Sequence, residues 1–243
     1  MSWVAHDLEP YVFQRELKTK VAFVPLLLGS WSPDIFTKWF VYGDSLFGLH
    51  LKADDPVQFH RGWPGAGFTH SLTYGVVVSL LIYAIGRNKI WAVSFLIGNW
   101  AHVITDIGDT VGTMLFFPFT TYHVSIGAWA YAGQVGRMTD AAAYFSGLGG
   151  AWDGFWVVLG IVAALTGVLS TSFFRTNIYP VDPFWAWLGR KGVPESAMIV
   201  LYRAVFFWGI CRWVAWILWA HVFHDYPIDL SWGGPHWVHA AHS

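Results

Sequence analysis

Five long apolar stretches, separated by short polar segments, dominate the hydrophobic pattern of the chain. They cover residues 21–43, 68–86, 90–119, 152–174 and 197–223. Each is near the length of about 20 residues that a helix needs to cross a bilayer. The first is the most interrupted, with two prolines and two charged residues inside it. We therefore predict an all-α, polytopic membrane helix bundle with about five transmembrane helices.

The segments outside these stretches add two further elements. The opening MSWVAHDLEPYVFQRELK carries charge where a signal peptide has its apolar region. Its pattern predicts an N-terminal amphipathic helix, with Leu8, Tyr11 and Val12 facing apolar surroundings. Residues 124–133 are too short to span a bilayer and predict a re-entrant or interfacial segment. With no internal repeat and no linker, we predict one integral membrane domain over residues 1–243.

Composition agrees with a membrane protein. Hydrophobic residues make up 55% of the chain and charged residues only 12%, against about 25% charged in soluble domains. A net charge of −1 provides no basic field for nucleic acid. The single cysteine, Cys211, excludes an internal disulfide and a cysteine-based zinc site. The sequence also lacks a Gly-rich phosphate loop, a G-x-S-x-G elbow and an H-E-x-x-H motif, which argues against nucleotide binding, serine hydrolysis and zincin chemistry.

Lysine and arginine residues predict the orientation of the bundle. Positive residues cluster before the first stretch, between the second and third, and between the fourth and fifth. Cytoplasmic loops carry the excess of positive charge in membrane proteins. We therefore predict an N-terminus inside and a C-terminus outside. The clusters are Arg15, Lys18 and Lys20; Arg87 and Lys89; and Arg175, Arg190 and Lys191.

A polar stripe crosses the third apolar stretch. Asn99, His102, Asp106 and Asp109 follow one another at spacings of 3, 4 and 3 residues, which places them on one face of a helix. Ionisable groups inside a membrane are functional-site candidates by default. The predicted topology brings the stripe to the same outer layer as His70 and to a depth similar to that of Asp34.

Metal binding is the chemistry that suits these side chains. Mixed nitrogen and oxygen ligands with an open position are typical of catalytic zinc, which lowers the pKa of bound water to about 7. We predict that Asp34, His70, His102 and Asp106 bind a divalent metal, zinc in the first instance. Asp109 is the predicted general base. The alternative is a polar stripe whose groups are hydrogen bonded to neighbouring helices.

Three segments of the chain resemble a known family. LLLGSWSPDIF, FTHSLTYGVVVSLLIYAIG and GNWAHVITDIGDTVGTMLFFPF contain Pro33-Asp34, Thr69-His70-Ser71, and His102 with Asp106, in that order. This order is similar to that of the YdjM-like, LexA-regulated inner-membrane proteins, over about residues 20–120. The resemblance implies a metal-dependent hydrolase of the bacterial inner (cytoplasmic) membrane, with residues 121–243 as additional helices and a His-rich tail.

The chain departs from this family pattern at two histidines. His60-Arg61-Gly62 is separated from Thr69 by WPGAGF, where the family usually has one residue. The resemblance implies that His60 is a further metal ligand if this loop folds back, and an exposed loop histidine otherwise. His6 stands where many members carry an N-terminal histidine. The predicted topology puts His6 on the cytoplasmic side, so either residues 4–20 enter the membrane or His6 takes no part in the site. We predict the latter.

Two other polar features have more than one interpretation from the sequence. Arg212 lies deep in the last stretch and predicts a carboxylate partner such as Asp153, a polar cavity, or an anionic substrate headgroup. The C-terminal histidines suit a second metal site, a pH-responsive tail or a solvated terminus. They are His221, His224, His236, His239 and His242.

Two classes of function follow from these patterns. The first is a membrane-embedded, metal-dependent hydrolase that acts on a lipid-linked or phosphoester substrate at the outer half of the membrane. The alternative is a non-catalytic subunit of a larger membrane complex, which would contact other subunits through its Trp-rich surface. In that case His102 or His123 would ligate a haem or chlorophyll-type cofactor. Metal analysis of the purified protein separates the two.

Overall fold

Helices account for most of the chain in the computed structural model, which describes residues 3–133 and 137–233. This confirms the predicted all-α class. Within that part of the chain, the only strands are β1 (Ser45–Leu46) and β2 (Leu49–His50), which form an antiparallel hairpin. The helices are α1 (Ala5–Leu17), α2 (Phe23–Ile35), α3 (Lys38–Tyr42), α4 (Pro56–Arg61), α5 (Leu72–Gly86), α6 (Lys89–Asp106), α7 (Arg137–Phe145), α8 (Leu148–Leu165), α9 (Thr171–Phe173), α10 (Pro183–Arg190) and α11 (Glu195–Leu218).

Two helical segments in the described residues are long and apolar enough to cross a membrane. They are α8 and α11, the latter continued by a π-helical turn to Phe223. The other predicted spans correspond to α2, α5 and α6. Helix α2 has 13 residues and α5 has 15, both below the usual spanning length. The predicted number of five spans is therefore not established by helix length.

Helix α6 ends earlier than predicted. Its last residue is Asp106, so the stripe of Asn99, His102 and Asp106 does not continue to Asp109 on the same helix. The Asp109 carboxylate instead accepts hydrogen bonds from the backbone N–H groups of Val111 and Gly112, at 3.0 and 2.7 Å. Such side-chain bonds to local backbone compete with the helical pattern. The chain then runs without regular helix and pairs with the predicted interfacial segment through bridges at residues 109–129 and 113–124.

Two glycines allow α2 and α6 to pack backbone against backbone. A Cβ atom at Gly98 would lie 2.0 Å from the carbonyl oxygen of Leu26, and one at Gly29 would lie 2.2 Å from that of Phe95. Close helix crossings at small residues are typical of membrane bundles. Because Ser30 and His102 lie one position and one turn beyond these glycines, the crossing sets the spacing of the side chains that follow.

We expect Gly98→Ala to destabilise the protein strongly. The added methyl has no space against the Leu26 carbonyl, so the two helices must separate, at a cost of about 1–3 kcal/mol or more. Gly86→Ala is the matched control, because its added Cβ meets no described atom within 4 Å. Thermal unfolding in detergent measures both variants. Equal melting temperatures would contradict the close crossing.

Helix α1 lies in the interior, not on the surface as an amphipathic helix. Its residues from Ala5 to Tyr11 are buried, mostly completely, and it packs against α2, α8 and α11. Asp153 on α8 accepts hydrogen bonds from the backbone N–H groups of Trp3, Val4 and Ala5, at 2.9–3.2 Å. These bonds satisfy donors that the start of a helix leaves unpaired.

The carboxylate partner predicted for Arg212 is present, but it is Asp7 and not Asp153. An Nη atom of Arg212 lies 2.8 Å from the Asp7 carboxylate on α1, whereas Asp153 holds the start of α1. The reason is that α1 inserts between α2 and α11 and brings its own carboxylate to the arginine. A partly buried ion pair thus joins α1 to α11.

Candidate metal centre

Four of the predicted ligands meet at one point in the interior. Asp34, His70, His102 and Asp106 are buried, and each offers one ligand atom within 4.8 Å of the other three. The His102 Nε2 atom lies 3.2 Å from an Asp106 oxygen, and His70 Nε2 lies 3.5 Å from Asp34 Oδ1. The structure therefore brings together side chains from three separate segments of the chain.

Local structure explains how each ligand is presented. His102 and Asp106 are four residues apart and share one face of α6. Asp34 lies in the last turn of α2. His70 ends a short 3₁₀ turn, Gly67–His70. The next residue, Ser71, caps α5 by accepting the N–H of Tyr74 at 3.1 Å, which fixes the turn against the helix.

His60 joins this group because the loop after it folds back. The N–H of Ala66 donates to the Phe59 carbonyl at 2.6 Å, which closes the WPGAGF segment into a compact turn. His60 is fully buried, with its Nε2 atom 3.4 Å from Asp34 Oδ1. The structure places His60 with the other ligand candidates rather than in an exposed loop.

The prediction that His6 stays away from the site is wrong. Its Nε2 atom lies 3.4 Å from Asp106 Oδ1. Its ring stacks on that of His102, with ring centroids 3.8 Å apart. The cause is the interior position of α1, which a surface amphipathic helix would not reach. The family's N-terminal histidine was the signal in the sequence for this position, but the predicted topology placed His6 on the cytoplasmic side.

The Nδ1 atom of each of the four histidines points away from the cluster and makes a hydrogen bond that orients the ring. The Ser30 carbonyl can only accept, so His102 must donate to it from Nδ1. The hydroxyls of Thr37 and Thr69 donate to backbone carbonyls and therefore accept from His60 and His70. The Nδ1 contacts are His102 to Ser30 O at 2.6 Å, His60 to Thr37 Oγ1 at 2.5 Å, His70 to Thr69 Oγ1 at 3.2 Å and His6 to Glu9 Oε2 at 3.4 Å.

The Nε2 atoms of His60, His70 and His102 are consequently left with their lone pairs directed into the cluster. Burial lowers the pKa of His6, but the Glu9 and Asp106 carboxylates outweigh it and raise that pKa to about 9. Within the described part of the chain, all four Nε2 atoms and Asp34 Oδ1 are buried without a hydrogen-bond partner. Buried polar atoms are normally paired, so five orphaned atoms in one place call for a ligand. An oxygen acceptor behind each histidine is also the usual outer arrangement of metal-binding imidazoles.

His60 and His70 are neutral at pH 7. Burial and the neighbouring Arg61 cation lower the pKa of His70 to about 3. Burial, the His70 ring and Arg61 hold the pKa of His60 well below its usual value. Neutral imidazole nitrogens and carboxylate oxygens are the donor set of zinc and similar divalent ions. The residues present therefore fit such an ion.

A buried arginine closes one side of the cluster. One Nη atom of Arg61 lies 2.5 Å from Asp106 Oδ2 and 3.3 Å from Asp109 Oδ2. Its other Nη donates to the Gly112 carbonyl at 3.2 Å. Burial favours the neutral form, but the carboxylates of Asp106 and Asp109 outweigh it and raise the pKa of Arg61 above its usual value. Asp109 thus lies behind Arg61, outside the group of four ligands.

Comparison with known proteins identifies the family of the chain. The model of the YdjM inner membrane protein family matches residues 9–178. The chain belongs to the YdjM inner membrane protein family. The match covers every converging residue except His6 and extends beyond the motifs that carry the resemblance. No curated protein and no solved structure matches the chain. Membership makes this YdjM family protein an inner membrane protein.

Among the described residues of this YdjM family protein, His123, His221 and His224 are not part of the cluster. His123 is exposed, and its Nδ1 contacts the Val111 carbonyl at 2.9 Å. His221 Nδ1 contacts the Tyr226 carbonyl at 3.0 Å, and His224 is exposed. The other three tail histidines, His236, His239 and His242, lie outside the described residues. His102 is packed against the His6 ring, and its Nε2 atom faces the Asp106 carboxylate at 3.2 Å.

Proposed function

We propose that this protein is a membrane-embedded, divalent-metal-dependent hydrolase. The observation that carries the proposal is a set of five buried nitrogen and oxygen atoms that converge from four histidines and Asp34 and have no hydrogen-bond partner. Asp34, His70, His102 and Asp106 hold the ion, with His60 as a further ligand, and zinc is the ion that suits them best. His6 lies beside these ligands and contacts Asp106.

The ion, when bound, supplies Lewis acidity and a water that loses its proton near neutral pH. Other residues of the protein hold the ligand side chains in place. Ser30, Thr37, Thr69 and Glu9 orient the histidine rings, as the Nδ1 contacts support. Arg61 holds Asp106 as a carboxylate at one edge of the cluster, so that its remaining lone pairs face the histidines.

Asp109 was predicted from the sequence as the general base, and the geometry favours a positioning role instead. One of its oxygens accepts two backbone N–H groups and the other faces Arg61. We expect Asp109→Asn to retain the ion at wild-type stoichiometry and to lower thermal stability, because its amide group faces a buried cation. The acid limb of the pH–rate profile should not change. Loss of that limb in Asp109→Asn would restore Asp109 as the base.

The substrate class proposed is a lipid-linked or phosphoester compound, because the cluster lies among membrane helices. The test uses purified protein in detergent, with phosphate release from phosphatidic acid as the assay. Chelation with EDTA should abolish turnover and added Zn²⁺ should restore it. Turnover that survives complete removal of divalent ions would refute the proposal. Absence of any bound ion would leave the non-catalytic subunit as the better hypothesis.

We also propose that α2, α5, α6, α8 and α11 lie in the membrane, with the positive segment at Lys18 and Lys20 inside and the C-terminus outside. Residues 3–6, which lie beside Asp153 and Asp106, then belong to the outer half. The positive clusters support this orientation. His102 lies 13 residues after Lys89, about 20 Å along α6, so the cluster belongs to the outer half. A reporter enzyme fused after Ser243 should be active only outside the cytoplasm. Cytoplasmic activity would reverse the topology.

A further inference from the structure

A cavity opens directly beside the metal centre. It has a volume of about 250 Å³ and lies between α1, α2, α3 and α11. His6 and Asp34 form part of its wall, so a molecule in the cavity reaches the cluster from that side. Lys38, Trp208 and Arg212 also line the cavity.

A larger groove of about 450 Å³ continues from this cavity. Trp3, Lys38, Trp39, Trp208 and Arg212 line both spaces, so the two are contiguous. The Trp208 side chain is 59% exposed and lies on α11, the more extended of the two helices that are long enough to span a membrane. The groove therefore opens sideways through an aromatic wall toward the surroundings of α11, where the acyl chains of a bilayer lie.

Two cations, Lys38 and Arg212, line both the cavity and the groove. The Lys38 ammonium pairs with Asp34, and the Arg212 guanidinium pairs with Asp7 while lying 6.0 Å from the centre of the Trp208 ring. Among the described residues, Arg212 Nε and Trp3 Nε1 are buried donors that lack a hydrogen-bond partner. Unpaired buried donors beside a cationic group suit an anion, because charge-assisted hydrogen bonds are the strongest available.

The two cations are paired with carboxylates but are not enclosed by them. Arg212 contacts Asp7 through one Nη atom, and its side chain is 29% exposed. The Lys38 side chain is exposed to the same extent. Their remaining N–H groups can donate to a phosphate, whose oxygens match the planar fork of an arginine.

We propose that Arg212, Lys38 and Trp3 form a subsite for the phosphate headgroup of a membrane lipid, whose chains leave through the tryptophan-lined groove. This inference rests on the proposed function, which it deepens by assigning the residues that recognise the substrate. The tryptophans of the groove then contact lipid rather than another subunit. Arg212 and Lys38 bind the headgroup and place its ester bond next to the metal centre.

Equilibrium binding of a radiolabelled phosphonate analogue of dioleoyl phosphatidic acid tests the subsite, because this probe is not hydrolysed. Arg212→Gln should weaken binding at least 10-fold, and Lys38→Gln should weaken it less, since Lys38 is a point charge. Arg212→Lys should recover part of the affinity. Arg203→Gln is the matched control on the same helix, because Arg203 bonds to the Leu169 carbonyl at 2.8 Å, away from the cavity; it should bind like the wild type.

A second variant tests whether Arg212→Gln weakens binding only because the protein fails to fold. Arg212→Gln leaves the buried Asp7 carboxylate unpaired, so Asp7→Asn/Arg212→Gln removes both charges together. We expect this double variant to fold and still to bind the probe at least 10-fold more weakly. Wild-type affinity in a folded double variant would overturn the subsite.

Two further arms identify the source of the anion and separate the proposals. Dioleoylglycerol should bind far more weakly than the phosphonate lipid, and inorganic phosphate should compete only at much higher concentration. Equal competition by inorganic phosphate would overturn the lipid assignment in favour of a soluble phosphate ester. Arg212-dependent binding by a protein that holds no divalent ion would support the subsite and refute the proposed hydrolase. Conversely, a protein that binds the ion, and whose Arg212→Gln variant binds the lipid with wild-type affinity, would refute the subsite and support the metal centre.

Discussion

His102→Ala is expected to remove the metal ion from the purified protein. Its Nε2 atom lies 3.2 Å from an Asp106 oxygen and has no hydrogen-bond partner within the described chain, so its loss takes a ligand from the middle of the cluster. Mutating outer partners of metal ligands alone lowers affinity by about 10–100-fold. Loss of a ligand should cost more than 100-fold, and turnover should fall to background.

The same variant should lose stability through linkage. An ion present at 100 times its dissociation constant contributes about 2.7 kcal/mol to the folded state, and this contribution disappears with the site. Asp106→Asn should behave in the same way, although a carboxamide keeps the shape and most of the hydrogen bonding. His123→Ala is the control, because His123 is an exposed histidine remote from the cluster. Elemental analysis that finds wild-type metal in His102→Ala or Asp106→Asn would contradict the ligand assignment.

Arg61→Met should give the largest loss of stability in the protein. It removes a fully buried cation that lies within 3.3 Å of two fully buried carboxylates, those of Asp106 and Asp109. Breaking a buried pair by removing one partner costs about 3–5 kcal/mol, because the other charge is left without compensation. Part of this loss should be recovered in Arg61→Met/Asp109→Asn, which also removes one of the stranded charges.

An exposed ion pair provides the comparison for Arg61. Arg175 contacts Glu195 at 2.7 Å, but the two side chains are 63% and 42% exposed. Such pairs contribute only about 0–1 kcal/mol, so Arg175→Met should barely change the melting temperature. Thermal unfolding in one detergent under metal-saturated conditions measures all three variants. A melting temperature for Arg61→Met as high as that of Arg175→Met would show that the buried network does not stabilise the fold.

The centre of the site is predictable from the sequence because its chemistry follows helical spacing. His102 and Asp106 are one turn apart on α6, and carboxylate and imidazole groups in an apolar segment are conspicuous. The motifs that carry the family resemblance add Asp34 and His70 in the same order. His60 could be proposed from its motif, but its position depends on a turn whose closure by the Ala66 N–H is not visible in residue types.

The position of α1 could not be read from the sequence for a physical reason. Its polar residues resemble those of a surface helix, because their partners lie far away in the chain: Asp7 pairs with Arg212, and Asp153 holds the start of the helix. Pairing over 140 residues or more leaves no local pattern. The same limit explains Asp109, whose carboxylate ends α6 by capturing the next backbone N–H groups instead of extending the helical stripe.

X-ray absorption spectroscopy of the wild-type protein, purified without chelators and combined with elemental analysis, tests the metal centre most directly. We predict a bound divalent ion, zinc in the first instance. Its first shell should consist of nitrogen and oxygen atoms at about 2.0–2.2 Å, with the multiple scattering that imidazole rings produce. The absence of a stoichiometric ion, or a first shell without imidazole, would contradict the account.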